Sequence, residues 1–368
     1  MKRILAQCNK ELAQFARDRL TLALAIVLPI ATLIIFGFAI RLETKDIPIV
    51  VQDLDLSPLS RTYIEQIFAT NQFQPSIWRG KDPVSNAIDP SIAKAAIIIP
   101  PNFSQQIKSG KTTAVQVLID GTDANNARVI QNIVKATTNS FLQRAGLQTT
   151  NPKIVPRTRL WFNPGRKESL YIVPGVFGVI LWIYPSLLSA IAMVREKEKG
   201  TILQVYASSL TAAELLLGKA LAYFLVGIAQ ATFVILLGAI LFGIGLASEP
   251  TPLIIGTLLY LMASVMFGLQ IGTRASNQNA AVQAVATIGF LTALLLSGFI
   301  YPLSNIPFPL SFISNVVPAR YYIELSRDAF VRGTGWLGIW YVPLILLIIS
   351  LFFFNVARRL LSRMQLPD

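Results

Sequence analysis

The chain has 368 residues, of which 53% are hydrophobic and only 14% are charged. This composition excludes an ordinary soluble domain and indicates several membrane-spanning helices. The net charge of +13 raises the question of a nucleic-acid partner, but much of the basic charge flanks apolar runs, so none is expected. Cys8 is the one cysteine and histidine is absent. An intrachain disulfide is therefore excluded, and no metal site or catalytic residue is expected.

The first 40 residues contain two predicted helices. Residues 1–19 predict a cytoplasmic amphipathic helix lying on the membrane surface, because apolar residues recur at helical spacing among basic ones. The apolar stripe consists of Ile4, Leu5, Cys8, Leu12, Phe15 and Ala16. Residues 20–40 form the first predicted transmembrane helix. A cleaved signal peptide is the alternative, since Gly37-Phe38-Ala39 resembles a cleavage site, but the long leader and the long apolar run favour an uncleaved anchor.

Residues 41–168 are polar and alternate short apolar runs with helical stretches, which predicts an inserted extracytoplasmic α/β domain. We expect strands at 47–51, 73–78, 95–99 and 115–119, and helices at 58–70, 101–109 and 124–144. Four acidic residues follow predicted strands and precede predicted helices: Asp53, Asp55, Asp120 and Asp123. A metal site is one interpretation. Capping is favoured, because acids at such positions commonly cap helices and form turns.

Residues 169–368 form the predicted membrane domain. Five further apolar runs are each long enough to cross a bilayer core of roughly 30 Å. They are 170–194, 220–246, 253–273, 280–300 and 336–356. The predicted fold class is therefore an α-helical polytopic membrane protein with six transmembrane helices and an α/β domain inserted between helices 1 and 2. The proline- and aromatic-rich segment 301–335 is expected to form short helices that lie at the outer interface or re-enter the membrane.

The distribution of basic residues predicts the orientation. One side carries the basic residues of 1–19, 195–219, Arg274 and the C-terminal end. Among the short flanks, the other side carries three arginines after the fifth run: Arg320, Arg327 and Arg332. The first side is therefore predicted to be cytoplasmic. The chain would then lie in the plasma (inner) membrane with both termini in the cytoplasm. Residues 41–168 would lie outside.

The stretch 195–219 separates the second and third apolar runs, so its charges cannot lie in lipid. It opens on the charged run REKEKGT from Arg195 to Thr201 and continues with a short apolar helical stripe. Thr211 and Glu214 then have capping-box spacing just before the third run. An amphipathic loop of this kind is a candidate docking surface. The alternative is a positive membrane-flanking loop that has no partner.

The segment REKEKGTILQVYASSLTAAELLLGK resembles the cytoplasmic coupling loop of ATP-binding-cassette (ABC) type-2 export permeases, although Ser209 stands where that family usually has a proline. Two other regions resemble the same family. VQDLDLSPLSR and RLWFNPGRKESLYIVPG resemble the external domain of its long-domain, drug- or lipid-exporter-like subgroup. SGFIYPLSNIPFPLSFISNVVPARYYIELSRDAFVRG resembles the region after the fifth span. The three matches cover nearly the whole chain.

The resemblance implies roles and partners. A separate ABC ATPase subunit would receive the coupling loop in its cleft and bind ATP and magnesium, so this chain would bind no cofactor and would not be an enzyme. A dimer with a second permease copy or a paralogue is implied, as are contact with membrane lipid and room for a periplasmic adaptor. Glu196 and Glu198 alternate with basic residues, so we expect them to be exposed and to form only weak ion pairs within the chain. Gly200 is expected to let the chain turn where a side chain would clash. The residues that would couple this chain to the ATPase are Arg195, Glu196, Lys197, Glu198, Gly200, Thr201, Glu214 and Lys219.

The interiors of the predicted spans contain no ionisable residue, whereas ion-coupled carriers normally place one at membrane depth. The chain also lacks a phosphate-binding loop of the Gly-x-x-x-x-Gly-Lys-Ser/Thr type. A transporter with these features must take its energy from a partner. Gly268 and Gly272 in the fourth run allow close helix approach, and packing within one protomer is favoured over a dimer contact.

Two function classes remain open. The favoured one is the transmembrane permease subunit of an ABC exporter, which would move a hydrophobic or amphipathic, drug-like or lipid-like compound outward using ATP hydrolysis by the separate ATPase. The alternative is a non-transporting protein for ATP-driven mechanotransmission, or a receptor, that acts on an envelope partner through its external domain. ATP-dependent accumulation of a lipophilic dye in vesicles separates the two classes.

Overall fold

The computed structural model describes residues 1–39, 46–80, 82–121, 124–144, 162, 167–200 and 210–362. The chain divides into two compact units. The larger unit combines Met1–Ile40 with Arg159–Asp368, and the smaller one is Arg41–Thr158.

The smaller unit contains a four-stranded sheet with the strand order β2-β1-β3-β4. Its strands are β1 (Ile47–Asp53), β2 (Phe73–Pro75), β3 (Ala95–Ile99) and β4 (Gln116–Ile119). Strand β1 pairs in parallel with β2 and β3, whereas β4 runs antiparallel to β3. The central strands β1 and β3 have near-continuous apolar sequences because both their faces are largely covered. All four predicted strands are confirmed, and β2 and β4 are shorter than predicted.

The described part of this unit contains three α-helices: α3 (Pro58–Phe68), α4 (Phe103–Lys108) and α5 (Ala124–Arg144). Helix α3 begins with the predicted cap, because the Ser57 hydroxyl accepts the Ser60 N–H at 3.1 Å. The helices and the sheet share a core that contains the aromatic rings of Tyr63, Phe103 and Phe141. A π-helical turn at Val84–Ile88 was not predicted from the sequence.

The acidic residues of this unit cap and join elements, as favoured from the sequence. The Asp53 carboxylate accepts the Leu56 N–H at 3.1 Å and the Ser60 hydroxyl at 2.6 Å. The Asp55 carboxylate accepts the N–H and hydroxyl of Ser104 in α4. Asp120 forms an ion pair with Lys94 at 2.8 Å, and Asp123 lies outside the described residues. No group of acids, cysteine or histidine suited to a metal ion occurs in the part of the chain that the structure describes.

Within the described residues of the larger unit, six helices are long and apolar enough to cross a membrane, in agreement with the predicted number. The helices are α2 (Arg19–Ala39), α6 (Ser169–Glu198), α7 (Ala212–Phe242), α8 (Thr251–Arg274), α9 (Gln278–Leu295) and α13 (Tyr341–Ser362). The predicted amphipathic helix precedes them as α1 (Lys2–Arg17). The chain is thus a multi-pass membrane protein, and lipid is the natural surrounding of the outer faces of these helices.

Helix α6 lies at the centre of this unit and packs most extensively on α8. A Cβ atom at Gly268 would lie 2.1 Å from the Ser186 carbonyl oxygen, and one at Gly272 would lie 2.5 Å from the Ala190 carbonyl oxygen. Only glycine lets the two helix backbones approach so closely. The structure therefore uses both glycines to pack α8 on α6 within one chain.

Helices α6 and α7 extend past the predicted ends of their apolar runs, at 194 and 220. The 30 residues of α6 span about 45 Å at 1.5 Å per residue, which exceeds the bilayer core of roughly 30 Å. Arg195–Glu198 are therefore helical beyond the predicted end of the second run, and Glu214–Lys219 belong to the helix whose cap at Thr211 and Glu214 the sequence predicts. The physical reason is that Glu, Lys and Arg end an apolar run without ending a helix, since all three have good helix propensity.

Helix α9 ends at Leu295, before the predicted end at 300, and contains a π-helical segment at Val285–Phe290. Gly298 follows with φ +81°, a left-handed conformation that glycine adopts readily. The carbonyl oxygens of Gly298 and Phe299 accept hydrogen bonds from the Arg327 guanidinium at 2.9 and 3.2 Å. An arginine from the next segment therefore pairs with the backbone groups that the end of α9 leaves open.

The segment 301–335 contains short helices, as predicted. They are α10 (Leu310–Ser314) and α11 (Pro318–Arg327), and α12 (Trp336–Ile339) follows them. Helix α11 is largely buried, and its Tyr322 ring stacks on Tyr260 of α8 with centroids 4.2 Å apart. Most of helix α11 therefore belongs to the core of the larger unit.

Candidate functional site

The residues implicated by the sequence come together at one end of the membrane unit. Helix α6 ends there, α7 begins there, and α1 packs against both. The short turn between α8 and α9 lies at the same end, since Lys197 of α6 donates hydrogen bonds to the carbonyl oxygens of Thr273 and Ala275. The C-terminal part of α13 also belongs to it, because Leu361 shares an apolar cluster with Cys8 of α1. The described parts of the regions predicted to carry the positive charge are therefore neighbours.

A buried ionic cluster holds this end together. Lys219 of α7 is fully buried, and its Nζ atom donates to Glu11 Oε1 at 2.5 Å and to Glu196 Oε1 at 3.2 Å. Lys10 donates to the same Glu196 oxygen at 2.8 Å. The two lysines balance the two carboxylates, so the cluster is neutral overall. Because these four residues come from α1, α6 and α7, the cluster joins three helices.

The local sequence of α1 and α7 allows this close approach. A Cβ atom at Gly218 would lie 2.6 Å from Gln7 Cβ, so glycine is required where α1 crosses α7. Gln7 also donates to Glu11 Oε1 at 3.0 Å, one helical turn along α1. Burial raises the pKa of the Glu11 carboxyl, and the nearby Lys219 opposes that shift. Lys219 therefore offsets the cost of burying the Glu11 carboxylate in its charged form.

A second ion pair fixes the junction between α1 and α2. Asp18 accepts the N–H groups of Leu20 and Thr21 and the Thr21 hydroxyl, so it caps α2. The Arg195 guanidinium lies 2.7 Å from Asp18 Oδ2. The Thr21 hydroxyl, with help from Arg195, holds the pKa of the Asp18 carboxyl below its usual range. The end of α6 is in this way tied to the start of α2.

Glu198 and Glu214 act at helix starts. Glu198 accepts the backbone N–H of Gln278 at 2.8 Å and also its side-chain amide, so the end of α6 is bound to the first turn of α9. Thr211 and Glu214 form the predicted capping box: Thr211 Oγ1 accepts the Glu214 N–H at 3.2 Å, and Glu214 Oε2 accepts the Thr211 N–H at 2.9 Å. Glu214 also lies 3.8 Å from Arg3.

Two expectations about this stretch are wrong in their physical detail. Glu196 was expected to be exposed and to form only weak ion pairs, but its side chain is 5% exposed and belongs to the buried cluster. Gly200 was expected to occupy a place where a side chain would clash, yet among the described residues a Cβ there meets nothing within 4 Å. Its requirement is conformational, since its φ is +67°. Thr201 lies outside the described residues, as does the apolar stripe after it.

The partners on α1 and α2 were not predicted from the sequence. Glu11 and Gln7 lie on the helix face that also carries Cys8, and a carboxylate beside an apolar stripe is a signal for a buried partner. Lys219 gives the complementary signal, because it directly precedes a long apolar run. Asp18 was missed because it separates two helices that were predicted independently of each other.

Comparison with known proteins identifies the family. A family model described as ABC-2 family transporter protein matches residues 19–357. The chain belongs to the ABC-2 transporter family. The resemblance seen in the coupling-loop segment is therefore confirmed at the family level, and the match spans both units of this ABC-2 protein.

Several relatives match nearly the full length of this ABC-2 protein. The probable multidrug ABC transporter permease YbhS of Escherichia coli (strain K12) is 27% identical over 355 residues, which are 95% of this chain and 92% of YbhS. The probable multidrug ABC transporter permease YbhR of the same organism is 25% identical over 340 residues, with 90% and 92% covered. The inner membrane transport permease YhhJ of that organism is 25% identical over 349 residues, with 89% and 90% covered.

Proposed function

We propose that this chain is the permease subunit of an ABC exporter that moves a hydrophobic or amphipathic compound outward, driven by a separate ATPase subunit. Family membership and the names of the full-length relatives support the permease role. The ATPase binds the ATP and magnesium, and this chain supplies the membrane pathway. A second permease, either a copy or a paralogue, completes the complex.

The observation that carries the coupling part of this proposal is the buried cluster of Lys10, Glu11, Glu196 and Lys219. It joins the helices on both sides of the connection that follows Glu198 to the amphipathic helix α1. An ATPase that moves this connection would therefore move the end of α6, the start of α7 and α1 together. Glu198 extends the same linkage to the first turn of α9. The connection and these helix ends are the proposed ATPase contact.

The proposed orientation places this charged end in the cytoplasm. Its support is the clustering of basic residues at one end of the unit, which is the pattern of cytoplasmic flanks. The α/β unit is then outside, attached after α2. Cysteine placed at the exposed Ser109 in a Cys8→Ser background is expected to react with an impermeant thiol reagent in intact cells. If the cysteine reacts only after lysis, the proposed orientation is wrong.

The proposed cargo is lipophilic because the six apolar runs of the sequence carry no charged side chain that could select an ion or a sugar acid. The relatives YbhS and YbhR are named as probable multidrug permeases, which supports the same class. The α/β unit is the feature that keeps mechanotransmission as a second candidate, because it is a compact domain separate from the membrane unit.

The deciding experiment uses the complex purified with the ATPase that co-purifies with this chain. In inverted vesicles, ATP is expected to drive accumulation of a lipophilic dye, and a hydrolysis-deficient ATPase variant is the control. ATP hydrolysis without dye movement for a panel of lipophilic dyes would favour mechanotransmission. Transport by the permease alone under a proton gradient would contradict the partner-driven mechanism.

A further inference from the structure

A lateral groove separates α1 and α2 from the middle of α7. Its volume is about 310 Å³, and its walls are almost entirely apolar, with Phe15, Ala25 and Pro29 on one side and Phe233 on the other. Phe233 is 48% exposed, so the groove opens towards the surrounding membrane rather than into the centre of the unit. This groove is distinct from the ionic cluster described above.

One polar side chain, Gln230 of α7, lines this groove. Its presence has a structural cause on α2. Pro29 lacks an N–H, so the Ala25 carbonyl oxygen four residues earlier loses its helical hydrogen bond. Gln230 Nε2 donates to that oxygen at 2.7 Å. The amide nitrogen of Gln230 therefore replaces the donor that the proline removed.

The oxygen atom of the same amide does not take part in this hydrogen bond. Gln230 is only 7% exposed, and its Oε1 atom has no hydrogen-bond partner within the described ranges of the chain. The amide cannot be turned over to hide this oxygen, because Ala25 presents an acceptor and requires the nitrogen. In hydrocarbon there is little water to satisfy the oxygen, and lipid tails carry no donor. An unpaired acceptor on a buried side chain that lines an apolar groove favours one class of ligand.

We infer that this groove binds a lipophilic molecule that carries a hydroxyl or amide N–H donor, with its apolar part between α2 and α7 and its donor on Gln230 Oε1. The volume corresponds to about ten water-sized groups at about 30 Å³ each, which suits a single chain or a small ring system. Lipid tails would fill the groove but leave Gln230 Oε1 unpaired. The donor is therefore what distinguishes the ligand from bulk lipid.

This inference goes beyond the proposed function and does not depend on it, because binding in the groove requires neither ATP nor the ATPase. The probes are a diazirine-bearing decanol and its methyl ether, which differ only in the donor. The purified full-length chain is photolabelled in lipid nanodiscs at equal membrane concentrations of each probe, and the labelled residues are mapped by mass spectrometry.

The alcohol is expected to label α2 and α7 around the groove about tenfold more than the ether, which equals about 1.4 kcal/mol. Gln230→Met should abolish this preference. Because that change also removes the donor to Ala25, the double variant Pro29→Ala/Gln230→Met is the sharper test, since the alanine that replaces proline restores the helical N–H. It should fold normally and still show no preference. Leu241→Ala, on the same helix outside the groove, should leave the preference unchanged.

Three outcomes would overturn the inference. Equal labelling by alcohol and ether would show that the groove holds lipid chains without selecting a donor. If the folded double variant still binds the alcohol in preference to the ether, the preference does not depend on Gln230. Absence of labelling by both probes, together with disulfide formation between two chains that carry Phe233→Cys, would show that a second copy covers the groove.

Discussion

The two ends of the membrane unit stabilise their charges in different ways. At the end formed by α1, α6 and α7, the fully buried Lys219 pairs with two charged side chains, those of Glu11 and Glu196. At the end formed by the C-terminus of α9 and by α11, Arg327 pairs with backbone groups instead. Arg327 donates to the carbonyl oxygens of Gly298 and Phe299, and its guanidinium lies 3.8 Å above the centre of the Tyr171 ring.

The difference shows what each end is built to do. Side-chain pairs join separate regular helices, so the helices can shift together while each keeps its own hydrogen bonds. Charges that pair with backbone instead fix an irregular segment: Asp328 accepts the Thr334 hydroxyl at 2.6 Å and the Gly335 N–H at 3.0 Å. We therefore expect the first end to transmit movement and the second to resist it.

The largest expected effect comes from removing the central cation of the ionic cluster. Lys219→Met leaves Glu11 and Glu196 buried near each other without their shared partner, and breaking a buried pair in this way costs about 3–5 kcal/mol. The thermal midpoint of unfolding of the detergent-purified chain should fall accordingly.

The matched control is the triple variant Lys219→Met/Glu11→Gln/Glu196→Gln, which removes both buried negative charges as well. It should recover most of the lost stability, because replacing all the buried charges of such a cluster is far less costly than leaving some unpaired. A single variant as stable as the wild type would contradict the buried cluster.

The opposite end should respond to loss of its arginine. Arg327→Met leaves the Gly298 and Phe299 carbonyl oxygens without their charged donor, and a hydrogen bond to a charged group contributes about 1.5–3 kcal/mol. Unfolding measured in detergent should show this loss. Arg332→Met, at an exposed arginine of the same segment, is the control and should be nearly neutral. Equal effects at both positions would remove the special role of Arg327.

A smaller effect is expected from the turn after α6. Gly200 has φ +67°, and a β-branched residue in this conformation costs about 1–2 kcal/mol. Gly200→Val should therefore lower permease-stimulated ATP hydrolysis by distorting the connection. Gly200→Asn, which tolerates left-handed backbone, should retain most of that activity. If both variants hydrolyse ATP at the wild-type rate, the conformation at this position is not needed for coupling.

The smallest effect on stability is expected at Glu198. Glu198→Lys should leave expression and membrane insertion nearly intact and lower stimulated ATP hydrolysis, measured at equal permease level. Its bond to Gln278 offers an internal explanation, so Gln278→Ala is the matched control. A loss confined to Glu198→Lys supports a contact with the ATPase, whereas equal losses assign the effect to the link between α6 and α9. Unchanged turnover and partner binding for Glu198→Lys would remove the coupling role.

The sequence by itself determined the regular elements of this protein. Apolar runs longer than a bilayer core predicted all six spans, since only a helix satisfies its backbone in lipid. Alternating apolar runs predicted the four strands, and Thr211 with Glu214 predicted a cap. These features depend on residues close together in the chain, so their spacing is sufficient to recognise them.

The tertiary structure decided which of the charged residues have internal partners. Lys219 lies 208 positions from Glu11, and Arg327 lies 29 positions from Gly298, so no local pattern pairs them. The predicted exposure of Glu196 was wrong for the same reason, because its burial is caused by α1, which is distant in sequence. Gln230 donates to the Ala25 carbonyl oxygen only because the fold places α7 beside Pro29 of α2. The physical reason is common to all of these cases: a charge or amide in a low-dielectric interior is stabilised by whatever partner the packing of distant helices brings to it.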